Sequence, residues 1–184
     1  MALTATIYNF EIDLADHDRG VYESLALRVA RHPSESEEFL WTRVLAYCIE
    51  FVEGIEFSRG GLSDPDEPAI LIRDLTGDIR SWIEVGFPDA ARLHKAAKAA
   101  PRVAVYTHKE PSQLVNRLAS ERIHKADAIE IYSFDRGFVA GLLDCLDRRV
   151  MCALAVTDRE IYLSIGSRTF SSRLIRHSIA SKSG

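Results

Sequence analysis

A β-hairpin, a proline-headed helix and a short apolar strand follow one another between Ala69 and Thr107, and their order restricts the topology open to the whole chain. A turn over Leu75 to Asp78 folds Ala69–Asp74 back onto Ile79–Gly86. Pro88 and Asp89 stand where proline and an acidic residue favour a helix start, and Pro101 closes that helix. Arg102 to Thr107 then returns as a strand. A strand that leaves through a helix and comes back to the same sheet pairs in parallel, through a right-handed crossover. The pattern therefore predicts an α/β sandwich with a mixed central sheet. In it the hairpin is central and residues 102–107 run parallel to the Glu84 strand.

The flanking segments fill in one domain over 1–184. Thr4 to Leu14 alternates and is rich in β-formers, which predicts a strand, and Asp16 to Gly20 is a turn. Val21 to Ala30 carries a weak helical pattern that is part strand in character. Ser34 and Glu37 suggest a capping box for a helix over 34–53, expected on one face of the sheet. Glu56 to Gly61 is extended, and Leu62 to Pro68 a loop. Ser112–Ser120 and Phe138–Leu146 read as helices and Ala128–Phe134 as a strand. A last hairpin turns at Asp158-Arg159, and the Ser/Arg-rich tail from about 167 is expected to fray.

Composition excludes several classes. No apolar run approaches the ~20 residues of a membrane span, and the first residues lack a basic stretch, so no membrane partner is expected. Three cysteines without a CxxC spacing argue for reduced thiols, a cytoplasmic location and no zinc cluster. A monomer is expected. The net charge of −4 conceals an asymmetry: residues 1–89 hold 7 Lys+Arg against 18 Asp+Glu, whereas residues 90–125 hold 8 against 2. An acidic half meeting a basic segment suits a cation site beside a phosphate-binding surface, with solvated charge as the alternative.

The hairpin brings Asp66 and Glu84 to one end, with Lys95 on the next helix. Two carboxylates hold a hard cation through oxygen, and such a cation activates water for phosphodiester cleavage. Glu84 lies among Trp82, Ile83 and Val85, so its carboxylate is expected to be partly buried and to need a partner: a cation, or Arg73 or Arg92 in an ion pair. Glu67 rivals Asp66, because a one-residue slip exchanges strand faces. Glu38, at the edge of the helix 34–53 core face, either leans towards the hairpin or serves the helix dipole. Arg92, Lys95 and Lys98 form a basic stripe at i, i+3, i+6, fit for phosphate or simply solvated. No P-loop, HExxH or nucleophile-elbow motif is present.

The chain resembles the bacterial YaeQ family in Met1-Ala2-Leu3, Ala5-Thr6-Ile7-Tyr8, Ala15-Asp16, Asp18-Arg19, Ala30 to Glu35 with Glu38, Arg59-Gly60, Asp66-Glu67-Pro68 and Trp82-Ile83-Glu84 with Gly86 and Pro88-Asp89. The likeness runs from the first residue to about Leu163. It implies a restriction-endonuclease-like fold of the PD-(D/E)XK superfamily. By position, Asp66 corresponds to the metal-binding aspartate, Glu84 to the acidic residue of the D/E-x-K element, and Glu38 to the glutamate of the first core helix. Gly86 stands where that element has its lysine, so Lys95 would be a migrated lysine.

Two functions follow as expectations. One is a Mg²⁺-dependent nuclease, with Mn²⁺ as a substitute. In it Asp66, Glu84 and the Val85 carbonyl hold the ion, Glu38 assists, Lys95 acts near the attacking water, and Arg92 and Lys98 contact nucleic acid. The other is a non-catalytic nucleic-acid- or protein-binding module on the same fold.

Overall fold

Among the described residues every strand lies in one of two mixed sheets. A computed structural model describes residues 4–59, 64 and 66–180; Pro65, Gly60-Gly61, the opening Met1-Ala2-Leu3 and the last four residues lie outside the described residues. The chain groups into two compact units, residues 1–51 with 134–175 and residues 52–133 with 176–184. The expected mixed α/β architecture is present, but as two sheets instead of one central sheet.

The first unit is built on β1 (Thr6–Asp16) and β2 (Val21–Arg31), which pair antiparallel over their whole length from Thr6↔Arg31 to Asp16↔Val21. Val21–Ala30 is thus a strand and not part helix. Leu25, Leu27 and Val29 keep a period of two, with Ala26, Arg28 and Ala30 exposed between them, and eleven ladder pairs override a weak helical signal. Helix α1 (Glu37–Ile49) is buried almost all round, and its Trp41 ring meets Phe10 of β1 edge-on at 5.3 Å. Its N-cap is Ser36, whose Oγ accepts from the Phe39 amide at 3.1 Å. The expected cap, Ser34, instead bonds the His32 ring. At the other end the Arg19 guanidinium donates to the carbonyls of Phe51 and Cys48, serving orphan acceptors at the helix C-terminus.

Helix α4 (Phe138–Leu142) precedes β8 (Arg149–Thr157), which runs parallel to β1, and β9 (Glu160–Ile165) returns antiparallel to it. The hairpin turn at Asp158-Arg159 has positive φ at both residues (52° and 61°), and the Asp18 carboxylate accepts from both their amides. The tail does not fray at 167. After Gly166 (φ 58°) it forms β10 (Arg168–Arg173) against β9, and β11 (Ile175–Ser178) joins the other sheet. Ser172 and Ile179 are buried, which anchors the segment.

The second unit orders its strands β11-β7-β6-β5-β4-β3. Here β3 is Ile55–Phe57, β4 Ile70–Arg73, β5 Ile79–Val85, β6 Arg102–Thr107 and β7 Glu130–Ser133. The hairpin register puts Ile70 opposite Ile83, and β6 runs parallel to β5 with Val105 beside Glu84, as the crossover requires. Helix α2 (Ala90–Ala99), capped by Asp89, and helix α3 (Pro111–Ala119) pack Leu93, Ala96, Leu114 and Leu118 against Leu71, Trp82, Val103, Val105 and Ile131. Residues 34–53 were expected against this sheet; α1 belongs instead to the first unit. Among the described residues no helix is long and apolar enough to cross a membrane.

Gly54 and Gly77 both have φ of 89°, but a Cβ on Gly54 would lie 2.1 Å from the Arg73 carbonyl oxygen, whereas one on Gly77 meets nothing. Gly54→Ala is therefore expected to destabilise by about 2–4 kcal/mol and Gly77→Ala by only about 1 kcal/mol. Urea denaturation of the two variants measures the difference, and equal losses would contradict the contact.

Candidate functional site

Alternation along β5 puts Trp82 and Glu84 on one face of the sheet, the face that α2 covers. Trp82 is apolar ballast except at its indole N–H. That nitrogen donates to Glu84 Oε1 at 2.7 Å, so the ring and the carboxylate two residues on act as a unit. Glu84 is only 3% exposed. Burial pushes its carboxyl above the usual carboxylate range, and the Arg92 charge and the Trp82 bond pull against that rise without cancelling it.

Arg92 is the hub of the site. It follows Asp89, the helix cap, by three residues, and the Asp89 side chain accepts from the Arg92 amide at 2.8 Å. From there its guanidinium makes three bonds: Nε to Glu84 Oε1 at 2.7 Å, Nη2 to the Glu67 carbonyl at 2.6 Å and Nη1 to the Asp64 carbonyl at 3.2 Å. Of the two arginines the sequence offered to Glu84, Arg92 is its partner, while Arg73 pairs with Glu56 at 2.9 Å.

One helical turn on, Lys95 forms an ion pair with Asp66. Helix α2 thus directs two successive cations at the two carboxylates, one pair buried and one open: the Lys95 and Asp66 side chains are 49% and 74% exposed. The loop has its own local order. Asp64 Oδ1 accepts from the Asp66 amide at 2.8 Å, an Asx turn, and Glu67 Oε2 accepts from the Ser58 hydroxyl at 2.9 Å. That contact turns Glu67, the expected rival of Asp66, to β3's end of the loop. Asp66 itself sits in a turn ahead of β4, not at a strand position. The cross-strand step expected between it and Glu84 is replaced by a link through two neighbouring side chains of α2.

Val85 ends β5 and is buried, and Lys98, a further turn along α2, is exposed. Glu38 lies in the first turn of α1, in the first unit, so the second unit alone contributes the other six expected site residues. Among the described residues no three His, Cys, Asp or Glu side chains gather as a metal cluster. The donors present are carboxylate and carbonyl oxygens. That chemistry suits a hard cation of the Mg²⁺ or Ca²⁺ kind and not zinc. Sequence reasoning missed the Trp82 donor and the Asp64 and Glu67 carbonyls. The first was legible from the i, i+2 spacing on a strand; backbone acceptors leave no trace in side-chain chemistry.

Comparison with known proteins gives consistent results. The family model described as YaeQ protein matches residues 1–174. A protein named "Uncharacterized protein YaeQ" from Salmonella typhi is 34% identical over 165 residues, covering 89% of this chain and 91% of that one. Its namesake from Escherichia coli K12 is 33% identical over 166 residues, with the same coverage. The crystal structure of YaeQ protein from Pseudomonas syringae superposes with a TM-score of 0.86 at 30% identity, covering 95% of this chain and 96% of that one. The YaeQ structure from Xanthomonas axonopodis pv. citri gives 0.84 at 28%, covering 96% and 100%.

The raised Glu84 carboxyl has a stability consequence. The folded chain keeps this proton at pH values where the unfolded chain has lost it, so between the unfolded value near ~4.3 and the higher folded value, stability falls as pH rises. Glu84→Gln lacks this titration. The stability gap between wild type and Glu84→Gln is thus expected to narrow from pH 4 to pH 7 in urea denaturation; a gap that widens would contradict the burial-driven shift.

Proposed function

The chain belongs to the YaeQ family, and from that premise we propose that it is a metal-dependent phosphodiesterase of the restriction-endonuclease-like, PD-(D/E)XK kind, acting on nucleic acid. The observation that carries this reading is the pairing of Lys95 with Asp66. A lysine from α2 meets the carboxylate of the preceding loop, as a lysine displaced from Gly86 would have to do.

In this reading Asp66, Glu84 and the Val85 carbonyl would hold Mg²⁺ or Mn²⁺. A cation bound there supplies an activated water and charge stabilisation. Lys95 holds Asp66 against α2 and presents an ammonium where negative charge builds on the phosphoryl oxygens. Water adds to phosphorus, the P–O ester bond breaks, and the leaving alcohol takes a proton. Lys98, exposed one turn beyond, offers a second cation to the polyanion backbone, the kind of contact whose strength falls with salt. Arg92, grouped with it by spacing, turns its guanidinium inward to Glu84 and two carbonyls.

A second reading, a nucleic-acid- or protein-binding module without catalysis, is favoured by one observation: both carboxylates already have a cationic partner from α2. Cleavage of plasmid DNA, single-stranded DNA and RNA in Mg²⁺ and Mn²⁺ separates the two. The enzyme reading expects activity that falls at least about a hundredfold in Glu84→Ala and in Lys95→Ala, each confirmed folded by circular dichroism. Lys98→Ala is expected to weaken substrate affinity a few-fold at most. Binding without cleavage by wild type on every substrate supports the module instead. Full activity of Lys95→Ala beside an inactive Glu84→Ala would remove Lys95 from the mechanism.

A further inference from the structure

Three oxygens from two chain segments meet one positive group in the second unit: Glu84 Oε1, the Glu67 carbonyl and the Asp64 carbonyl, all on the Arg92 guanidinium. A carboxylate oxygen with backbone carbonyls is the donor set that Ca²⁺ and Mg²⁺ prefer. Here a side chain supplies the positive charge. The Arg92 side chain is not sealed in, being 19% exposed, whereas that of Glu84, at 4%, cannot turn to solvent to find another partner.

We infer that Arg92 is a built-in counter-cation that occupies this oxygen cage and competes with a divalent cation for it. The inference rests on the reading of Glu84 as a ligand of a divalent cation, and it adds the Asp64 and Glu67 carbonyls to the donors named for that ion. Glu84 Oε1 already accepts from Trp82 and Arg92, so a cation that takes this oxygen together with the two carbonyls meets the guanidinium charge at close range and is repelled. Entry of a cation into the cage and the Arg92–Glu84 pair therefore exclude each other. The guanidinium must leave Glu84 when an ion arrives, and its Nη groups must release the loop carbonyls. Apparent metal affinity is lowered by the share of molecules in which Arg92 holds the cage. A guanidinium also spreads its donors over three nitrogens, so the oxygens around it lie wider apart than around a compact ion. Exchange of Arg92 for metal would accordingly move the Asp64 and Glu67 carbonyls, and with them Asp66.

The experiment uses the intact chain and Tb³⁺, a hard Ca²⁺ substitute whose emission a nearby indole sensitises. Trp82, bonded to Glu84 Oε1, is the donor. Arg92→Gln is expected to bind Tb³⁺ at least about tenfold more tightly than wild type, with Ca²⁺ displacing it. Arg122→Gln removes an equal charge from an exposed position of the same unit without touching the cage and is expected to change affinity less than about threefold. Glu84→Gln is expected to abolish binding.

Equal affinity in wild type and Arg92→Gln, or an equal gain in Arg122→Gln, overturns the competition while leaving the cation reading intact. No binding to either wild type or Arg92→Gln overturns both. A wild-type measurement guards against an unfolded variant: the ¹⁵N–¹H signal of Arg92 Nε is expected to shift or vanish as Ca²⁺ saturates the protein. An unchanged signal in the saturated protein overturns the inference.

Discussion

The buried carboxylate of Glu84 is the constraint around which the second unit is arranged. An ionised carboxylate removed from water requires a counter-charge and hydrogen-bond donors, and both come from defined places. Trp82 donates from the same strand face, and Arg92 donates from the first turn of α2. Because Arg92 also bonds the carbonyls of Asp64 and Glu67, the demand made by one side chain ties these two residues ahead of β4 to α2. Removing Arg92 would leave Glu84 buried without its counter-charge, a loss of about 3–5 kcal/mol in comparable pairs. The Lys95–Asp66 pair does different work. It is open to solvent, worth about 1 kcal/mol at most to stability, and its interest lies in where it points.

The charge asymmetry of the sequence is resolved locally. The basic stretch from 90 to 125 does not simply face outward as a polycation. Arg92 and Lys95 turn to acidic groups of the preceding loop and strand, and Arg102 pairs with Glu130 at 2.6 Å. What remains for an anionic partner is the outer part of the stripe, with Lys98 its clearest member.

Much of this arrangement was legible in the residues. The crossover Gly86–Pro88–Pro101 required β6 to lie parallel to β5, and Ile70 does lie opposite Ile83, although a bulge at Ile72/Arg73 shifts the register between that pair and the turn. Burial of Glu84 followed from its apolar neighbours. Other features depended on partners far along the chain. β2 is a strand because β1 offers eleven ladder pairs, and β1 in turn lies against β8, some 140 residues later. No local period announces such a pairing, and it is why one expected sheet is two. The tail forms β10 and β11 for the same reason: its Ser and Arg residues are poor evidence of disorder once β9 presents an edge. Ser36 displaced Ser34 as the helix cap because Glu35, just before it, is drawn inward to Arg43 at 3.2 Å.

The central claim is that Glu84 and Arg92 act as one unit that organises the site. A double-mutant cycle with Glu84→Gln, Arg92→Gln and the double variant, followed by urea denaturation at pH 7, measures this directly. The account predicts that the two single losses are strongly non-additive, with a coupling of about 2 kcal/mol or more. Additive losses, with coupling within about 0.5 kcal/mol of zero, would mean that the pair does not hold the loop and the strand together, and would contradict the account.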